Sequence, residues 1–366
     1  MKILHYINNL GSGGAEKLLV EILPLFIRES HDVTLVLSNS FKSVKLYEDS
    51  LKAHGVKVIS LNKSFYNPML VWDISRILSK GQFDIVHAHL FPSQYWLAFA
   101  SIFVGKKTKF IKTEHSVFNE RKNYFFLKPL ERFVYSRYKG LIGITDEVTK
   151  NLQDWLKRTS GFVTINNGVN IDAVITAKEY TNIENYNFLK KENFNILMVG
   201  RFDGAQKDQR TLVLAMKHLP ENVMLYFAGE GDYRVVIESL VRDEGLVERV
   251  HFLGMRTDVY SIMNLVDLNV LSSNHEGLSG VVLESLASSS PFLGSNVVGI
   301  KDVVPNQSFL FERGNVLELV DKVNKLLIDE SFYRKLVEEG NEGVKKYDIS
   351  NMSRNYLDFY TRVLNE

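Results

Sequence analysis

Asp267-Leu268-Asn269-Val270-Leu271-Ser272-Ser273-Asn274-His275-Glu276-Gly277-Leu278-Ser279-Gly280-Val281-Val282-Leu283-Glu284 reads as strand, short polar loop and helix, in that order. The apolar run Asp267–Leu271 fits a strand buried on both faces, and the helix opens near Gly280. In an open α/β sheet, ligands lie outside the carboxyl ends of the strands, where this loop falls. Glu276 is then on the loop, and Glu284 is about one and a half turns into the helix. Backbone N–H groups near Ser279 and Gly280 are expected to favour a phosphate between the two acids.

Working back along the chain, three earlier strands end the same way. Phe194–Val199 leads into Gly200-Arg201-Phe202-Asp203-Gly204-Ala205-Gln206-Lys207, so Arg201 and Lys207 emerge at a strand's carboxyl end. Two cations there can hold a pyrophosphate and neutralise it as a leaving group; solvated surface cations are the plainer alternative. Val223–Ala228 runs into Gly229-Glu230-Gly231, whose glycines permit close approach of a ligand. Val250–Leu253 runs into Gly254-Met255-Arg256, where Met255 and Arg256 can flank a nucleobase, with core methionine and surface arginine as the alternative. Four successive strand ends thus carry glycine and a polar group.

The first half alternates similarly. Lys2–Ile7, Asp32–Leu37, Val56–Leu61, Asp84–Ala88, Phe110–Thr113 and Gly140–Thr145 are predicted strands; Ala15–Glu29 and Trp72–Leu78 are predicted helices. The apolar run Tyr95–Val104 is expected to be one buried helix, being far short of a membrane span. Residues 178–193 are polar and unpatterned and read as a linker, and Met352–Leu364 reads as an amphipathic tail helix. The expected fold class is α/β, with two Rossmann-like parallel-sheet lobes facing a cleft. The first lobe takes residues 1–175 plus helix 350–366, and the second takes 190–349.

Composition narrows the chemistry. The 366 residues include no cysteine, which removes disulfides, thiolate metal sites and thiol nucleophiles. There is no Asp-x-Asp and no HExxH, so no metal is expected. His87 and His89 are expected to point to opposite sides of their strand, poor geometry for a shared ion. Gly11-Ser12-Gly13-Gly14 lacks the sixth-position glycine or alanine of a dinucleotide fingerprint. The formal net charge of +1 hides an asymmetry: residues 1–180 hold 24 Lys+Arg against 16 acids, and 181–366 hold 20 against 27. Between Lys106 and Lys139, ten cations mix with aromatics. That pattern suits an anionic membrane surface, or equally a solvated helix face with aromatics in the core. No nucleic-acid module is apparent. The N-terminus lacks a secretory signal pattern, and the expected location is cytoplasmic, peripheral to the membrane's inner face.

These strings together resemble the retaining glycosyltransferases of GT-B architecture, specifically family 4. The resemblance rests on Gly11–Glu16, Asp84–His89, Thr113–His115, Asn166–Val169, Gly200-Arg201, Lys207-Asp208, Gly229–Gly231, Phe252–Gly254, and Glu276 with Glu284 as an E-x7-E pair. It implies sugar transfer from a nucleotide-sugar, UDP-linked by first expectation, to a saccharide or lipid-linked hydroxyl in envelope or capsule synthesis, without metal or other cofactor. It implies that Arg201 and Lys207 hold the diphosphate, Glu284 the ribose, and Glu276 the donor sugar. Gly13 and Gly14 approach the donor, Gly200 and Gly229 line its site, the backbone after Gly277 cradles phosphate, and His115 faces the sugar. Where the family often has Gly-Gly-x-x-Glu, this chain has Val298-Gly299-Ile300-Lys301-Asp302, which is expected not to touch that chemistry. A nucleotide-sugar hydrolase or epimerase, or a non-catalytic binding protein, remains open.

Overall fold

The computed structural model describes residues 1–11, 13–41, 43–105, 107–115, 125–179 and 183–366. They form two compact units, Met1–Gly168 with Ile349–Glu366, and Val169–Asp348.

In the first unit the elements run β1 (Lys2–Ile7), α1 (Gly14–Arg28), β2 (Asp32–Leu37), α2 (Lys45–Ala53), β3 (Lys57–Ser60), α3 (Leu70–Gly81) and β4 (Ile85–His89). They continue with α4 (Ser93–Ala100), β5 (Lys109–Glu114), α5 (Lys128–Ser136), β6 (Gly140–Gly143), α6 (Asp146–Leu156) and β7 (Phe162–Thr164). The seven strands are all parallel in the order β3-β2-β1-β4-β5-β6-β7. Strands buried on both faces need apolar side chains throughout, and the sequence supplies them. On β1, Ile3 and Ile7 face one core while Leu4 and Tyr6 face the other. A closing helix, α14 (Ile349–Asn365), packs against α1 and buries Met352, Tyr356, Phe359, Tyr360 and Val363. The expected return of the tail to the first lobe is therefore what the chain does.

The second unit holds α7 (Ile171–Glu179), β8 (Phe194–Val199), α8 (Gln209–Met216), β9 (Val223–Ala228), α9 (Arg234–Asp243), β10 (Val250–Gly254) and α10 (Val259–Leu265). It continues with β11 (Leu268–Leu271), α11 (Gly280–Ala287), β12 (Phe292–Ser295), β13 (Leu310–Phe311), α12 (Val316–Ile328) and α13 (Glu330–Val344). Its six parallel strands run β10-β9-β8-β11-β12-β13. In each sheet the order reverses beside the first strand, at β1/β4 and at β8/β11. Those switch points are where the loops diverge and leave room for ligands.

Three expectations need correction. The division falls at Gly168/Val169, ahead of the residue 175 expected, because α7 packs on α10 and Val174 accepts a hydrogen bond from Asn264 Nδ2 at 2.8 Å. The supposed linker is in part a packed segment. Tyr186 is buried, its hydroxyl donates to Asp258 Oδ2 at 2.8 Å, and Phe188 lies against Tyr226. The run Tyr95–Val104 is not one buried helix: α4 ends at Ala100, a 3-10 turn spans Ser101–Phe103, and Ile102 and Phe103 are exposed. Of the cationic aromatic stretch, residues 106 and 116–124, with Phe118 and Tyr124, lie outside the described residues.

Candidate active site

The second unit's switch point gathers the expected residues, but in an arrangement the sequence did not suggest. Lys207 and Glu276 follow β8 and β11, neighbouring strands of the sheet. An isolated bridge between Lys207 and Ser273 draws the two loops together, aided by Asn274 N donating to Gln206 O at 2.7 Å. Lys207 Nζ then donates to Glu276 Oε1 at 2.5 Å, with side chains only 10 % and 4 % exposed. Ser273 Oγ donates to the same oxygen at 2.7 Å, and Gln206 Nε2 donates to Oε2 at 2.9 Å. Gln206 and Ser273 were not singled out from sequence. Only the fold reveals their role, since Gln206 lies 70 positions from Glu276 in the chain.

Glycines set the loop shapes. Gly229 has φ +149°, and a Cβ there would lie 2.0 Å from Gly200 O, so the ends of β8 and β9 touch backbone to backbone. Gly299 has φ +84°, and its Cβ would sit 1.6 Å from Gly277 O. That corrects the expectation that Val298–Asp302 stays clear of the chemistry. Its backbone supports the underside of the Glu276–Gly277 loop, and only glycine fits there. Ser279 is the N-cap of α11 without a side-chain capping bond, and Leu278 is buried. Glu284, 7 % exposed, curls its carboxyl back toward the start of α11, with Oε1 3.8 Å from where a Gly280 side chain would begin.

Other candidates are less constrained. Arg201 is exposed, and its carbonyl accepts from Gln209 Nε2 at 3.0 Å. Met255 is 58 % exposed. Arg256 is held by Asp258 through two bonds of 2.8 and 2.6 Å and lies 6.0 Å from the Phe188 ring centre. In the first unit, Gly13 is the N-cap of α1, and nothing lies within 4 Å of a Cβ built on Gly14.

The first unit's switch point is built of histidine. His5 on β1 pairs in register with His87 on β4. Contrary to expectation, His87 and His89 share a face with ring centres 4.2 Å apart. A strand repeats every two residues, so positions i and i+2 point the same way. His5 Nδ1 lies 2.9 Å from His89 Nε2, and His89 Nδ1 lies 3.3 Å from His115 Nε2. His87 is fixed by Tyr360 Oη at 2.6 Å and Thr113 Oγ1 at 2.8 Å. Burial keeps all four rings neutral: His5 is lowered to about 3, His115 to about 4 with the Lys112 cation adding to the effect, and His87 and His89 fall well below 6.5. His5, His87 and His89 could present three nitrogens to a metal. However, both His87 nitrogens already meet hydroxyls, and the 2.9 Å contact leaves no space for an ion between His5 and His89. The cluster reads better as a hydrogen-bonded array behind His115.

Two parallel Rossmann-like sheets with the reactive loops at their switch points define the GT-B class. Family models agree: Glycosyltransferase Family 4 matches residues 12–173 and Glycosyl transferases group 1 matches residues 180–343. The chain belongs to the family-4, group 1 glycosyltransferases. It is 26 % identical over 390 residues to the GalNAc-alpha-(1->4)-GalNAc-alpha-(1->3)-diNAcBac-PP-undecaprenol alpha-1,4-N-acetyl-D-galactosaminyltransferase of Campylobacter jejuni, covering 100 % of this chain and 99 % of that protein. It is 24 % identical to the UDP-Gal:alpha-D-GlcNAc-diphosphoundecaprenol alpha-1,3-galactosyltransferase of Escherichia coli, covering 87 % and 85 %. The structure of HepE from Anabaena in complex with UDP-glucose superposes with a TM-score of 0.84 at 18 % identity, covering 99 % of this chain and 100 % of that one.

Proposed function

We propose that this glycosyltransferase moves a sugar from a UDP-sugar, with retention at the anomeric carbon, to a saccharide or lipid-linked hydroxyl acceptor in envelope or capsule polysaccharide synthesis. The observation that carries the donor half is the buried Lys207–Glu276 pair at the β8/β11 switch point. An ammonium has three donors, and Glu276 takes one of them here. The other two can meet a diphosphate, with Arg201 free to swing onto the outer oxygens. Glu276, pinned by Ser273 and Gln206, offers its remaining lone pairs to sugar hydroxyls, and Glu284 offers its carboxylate to the ribose. The start of α11 adds backbone N–H groups for phosphate.

In this reading, the bond from the anomeric carbon to the diphosphate oxygen breaks as Lys207 and Arg201 take up the developing charge. The acceptor oxygen bonds to the same face of that carbon, and its proton passes to the departing phosphate. Neutral His115 serves as a hydrogen-bond partner to the sugar and not as the base, since burial holds it unprotonated and weakly basic. The names of the relatives support the choices of UDP and of a lipid-linked acceptor. Thermal shift with UDP-, GDP- and ADP-sugars tests the donor, because a true donor stabilises by mass action. Nuclear magnetic resonance of the product's anomeric proton tests retention. Stabilisation by GDP- or ADP-sugars alone overturns the choice of UDP, and free sugar without transfer overturns the acceptor.

A further inference from the structure

Three helical elements on one side of the first sheet carry an aromatic and cationic surface that sugar transfer does not use. α3, α4 and α5 bury Ile74, Leu97 and Val134 in one core behind them. On the outer side, Trp72 of α3 stacks on Phe103 of the 3-10 turn, with ring centres 5.6 Å apart and planes at 22°. Phe133 of α5 meets Phe99 of α4 at 5.9 Å, and Arg137 Nε donates to Ser101 Oγ at 2.9 Å. These contacts join segments far apart in sequence into one surface. Exposure there is high: Trp72 62 %, Ile102 53 %, Phe103 55 %, Phe126 64 % and Phe133 40 %.

Cations share this surface. Trp72, Arg76 and Lys80 are all exposed and stand four apart, one stripe of α3. Lys107, Lys128, Arg132 and Arg137 are exposed on the neighbouring segments. Acids are few on these segments, and none is exposed among the described residues. Residues 93–108 contain none, 125–139 contain only Glu131 at 1 % exposure, and Asp73 of α3 is ion-paired with Lys63. Soluble surfaces ordinarily intersperse both signs. A face of aromatics among Lys and Arg, with no exposed acid among the described residues of these segments, matches the boundary of an anionic bilayer, where rings enter the headgroup layer and long cationic stems reach phosphate.

We propose that the outer face of α3, the Ser101–Phe103 turn and α5 docks on anionic phospholipid, with Trp72, Phe103 and Phe133 inserted and Arg76, Arg132 and Lys128 on the headgroups. A soluble protein partner is the weaker match, because the described residues of this face that are exposed and charged are all cationic, which suits a charged plane. The docking stands apart from the transfer reading and fails or survives independently of it.

The test is flotation of the whole protein with phosphatidylglycerol–phosphatidylcholine vesicles, against phosphatidylcholine alone, at low and high salt. Binding is expected only with the anionic lipid, weakening with salt. Arg132→Glu and Lys128→Glu should each lower partitioning roughly tenfold, on the scale of about 1 kcal/mol per cation at the surface and more for a reversal. Trp72→Ala with Phe103→Ala should abolish binding while far-UV circular dichroism stays unchanged. Bromine-labelled acyl chains should quench the wild-type fluorescence and spare Trp72→Phe. No binding at low salt overturns the proposal, as does binding that all these variants retain. A wild-type oligomer that the variants dissociate also overturns it, by assigning the face to a second copy of the chain.

Discussion

Removing the Lys207 ammonium separates its electrostatic role in the empty fold from its role with substrate. Lys207 and Glu276 side chains are 10 % and 4 % exposed and meet at 2.5 Å. Deleting one partner of a buried pair costs about 3–5 kcal/mol, because it leaves the other charge stranded. In Lys207→Met, Glu276 keeps the Ser273 hydroxyl and the Gln206 amide, so the loss should be smaller, about 2–3 kcal/mol. In Glu276→Gln the ammonium loses the one carboxylate partner it has among the described residues and keeps at most a neutral amide oxygen, and the loss should reach about 3–5 kcal/mol. The double variant should fall short of the sum by about 1–3 kcal/mol, the coupling of two contacting residues. Urea denaturation followed by far-UV circular dichroism measures the cycle. All three tryptophans, Trp72, Trp96 and Trp155, lie in the first unit, so their fluorescence tracks that unit separately. Additivity within about 0.5 kcal/mol would refute the pair as an energetic contact. In turnover, Lys207→Ala should lose roughly 10²-fold, on the scale of one preorganised donor, and near-normal turnover would remove Lys207 from the chemistry.

Other consequences follow from single features. Gly299→Ala forces a Cβ onto Gly277 O at 1.6 Å; nucleotide-dependent thermal stabilisation should drop sharply, and an unchanged shift would show that the loop tolerates displacement. The buried histidines make the first unit acid-sensitive: His5 is lowered from 6.5 to about 3, so below pH 6.5 the unfolded chain takes up a proton that the folded one refuses. That contribution is lost as pH falls from about 6.5 toward 3, at roughly 1.4 kcal/mol per pH unit for each such histidine. His5→Gln should flatten the pH dependence of the tryptophan-detected transition by about that slope, and an unaltered slope would contradict it. Truncation after Asp348 strips Met352, Tyr356, Phe359, Tyr360 and Val363 from the core, each at most 3 % exposed. At about 1.5–3 kcal/mol per side chain the loss rivals the stability of a whole domain, so the tryptophans should report an unfolded first unit.

Most boundaries of the central strands were readable because doubly buried strands must be apolar throughout; β8 and β9 end where their apolar runs end. Short or edge elements escaped. β7 has three partly exposed residues, too few for a pattern. α6, α12 and α13 did carry signals, in the caps Thr145, Asn315 and Asp329, each accepting from a first-turn backbone N–H. The candidate residues could be named from the sequence one at a time. That Lys207 and Glu276 bind each other was not, since the contact depends on two loops brought together across neighbouring strands. Gly299 looked like a departure from a family pattern, and its packing on Gly277 could only be seen in three dimensions.

The helix that completes the first unit is made only after the whole of the second unit. During translation, residues 1–168 leave the ribosome with the apolar face around Phe26 and Ile111 bare, and all of Val169–Asp348 must be synthesised before α14 arrives to cover it. The second unit is one continuous segment, complete in the chain before α14 is made. Until the seventeen-residue α14 is made, the nascent first unit carries bare apolar surface of the kind that aggregates or recruits chaperones.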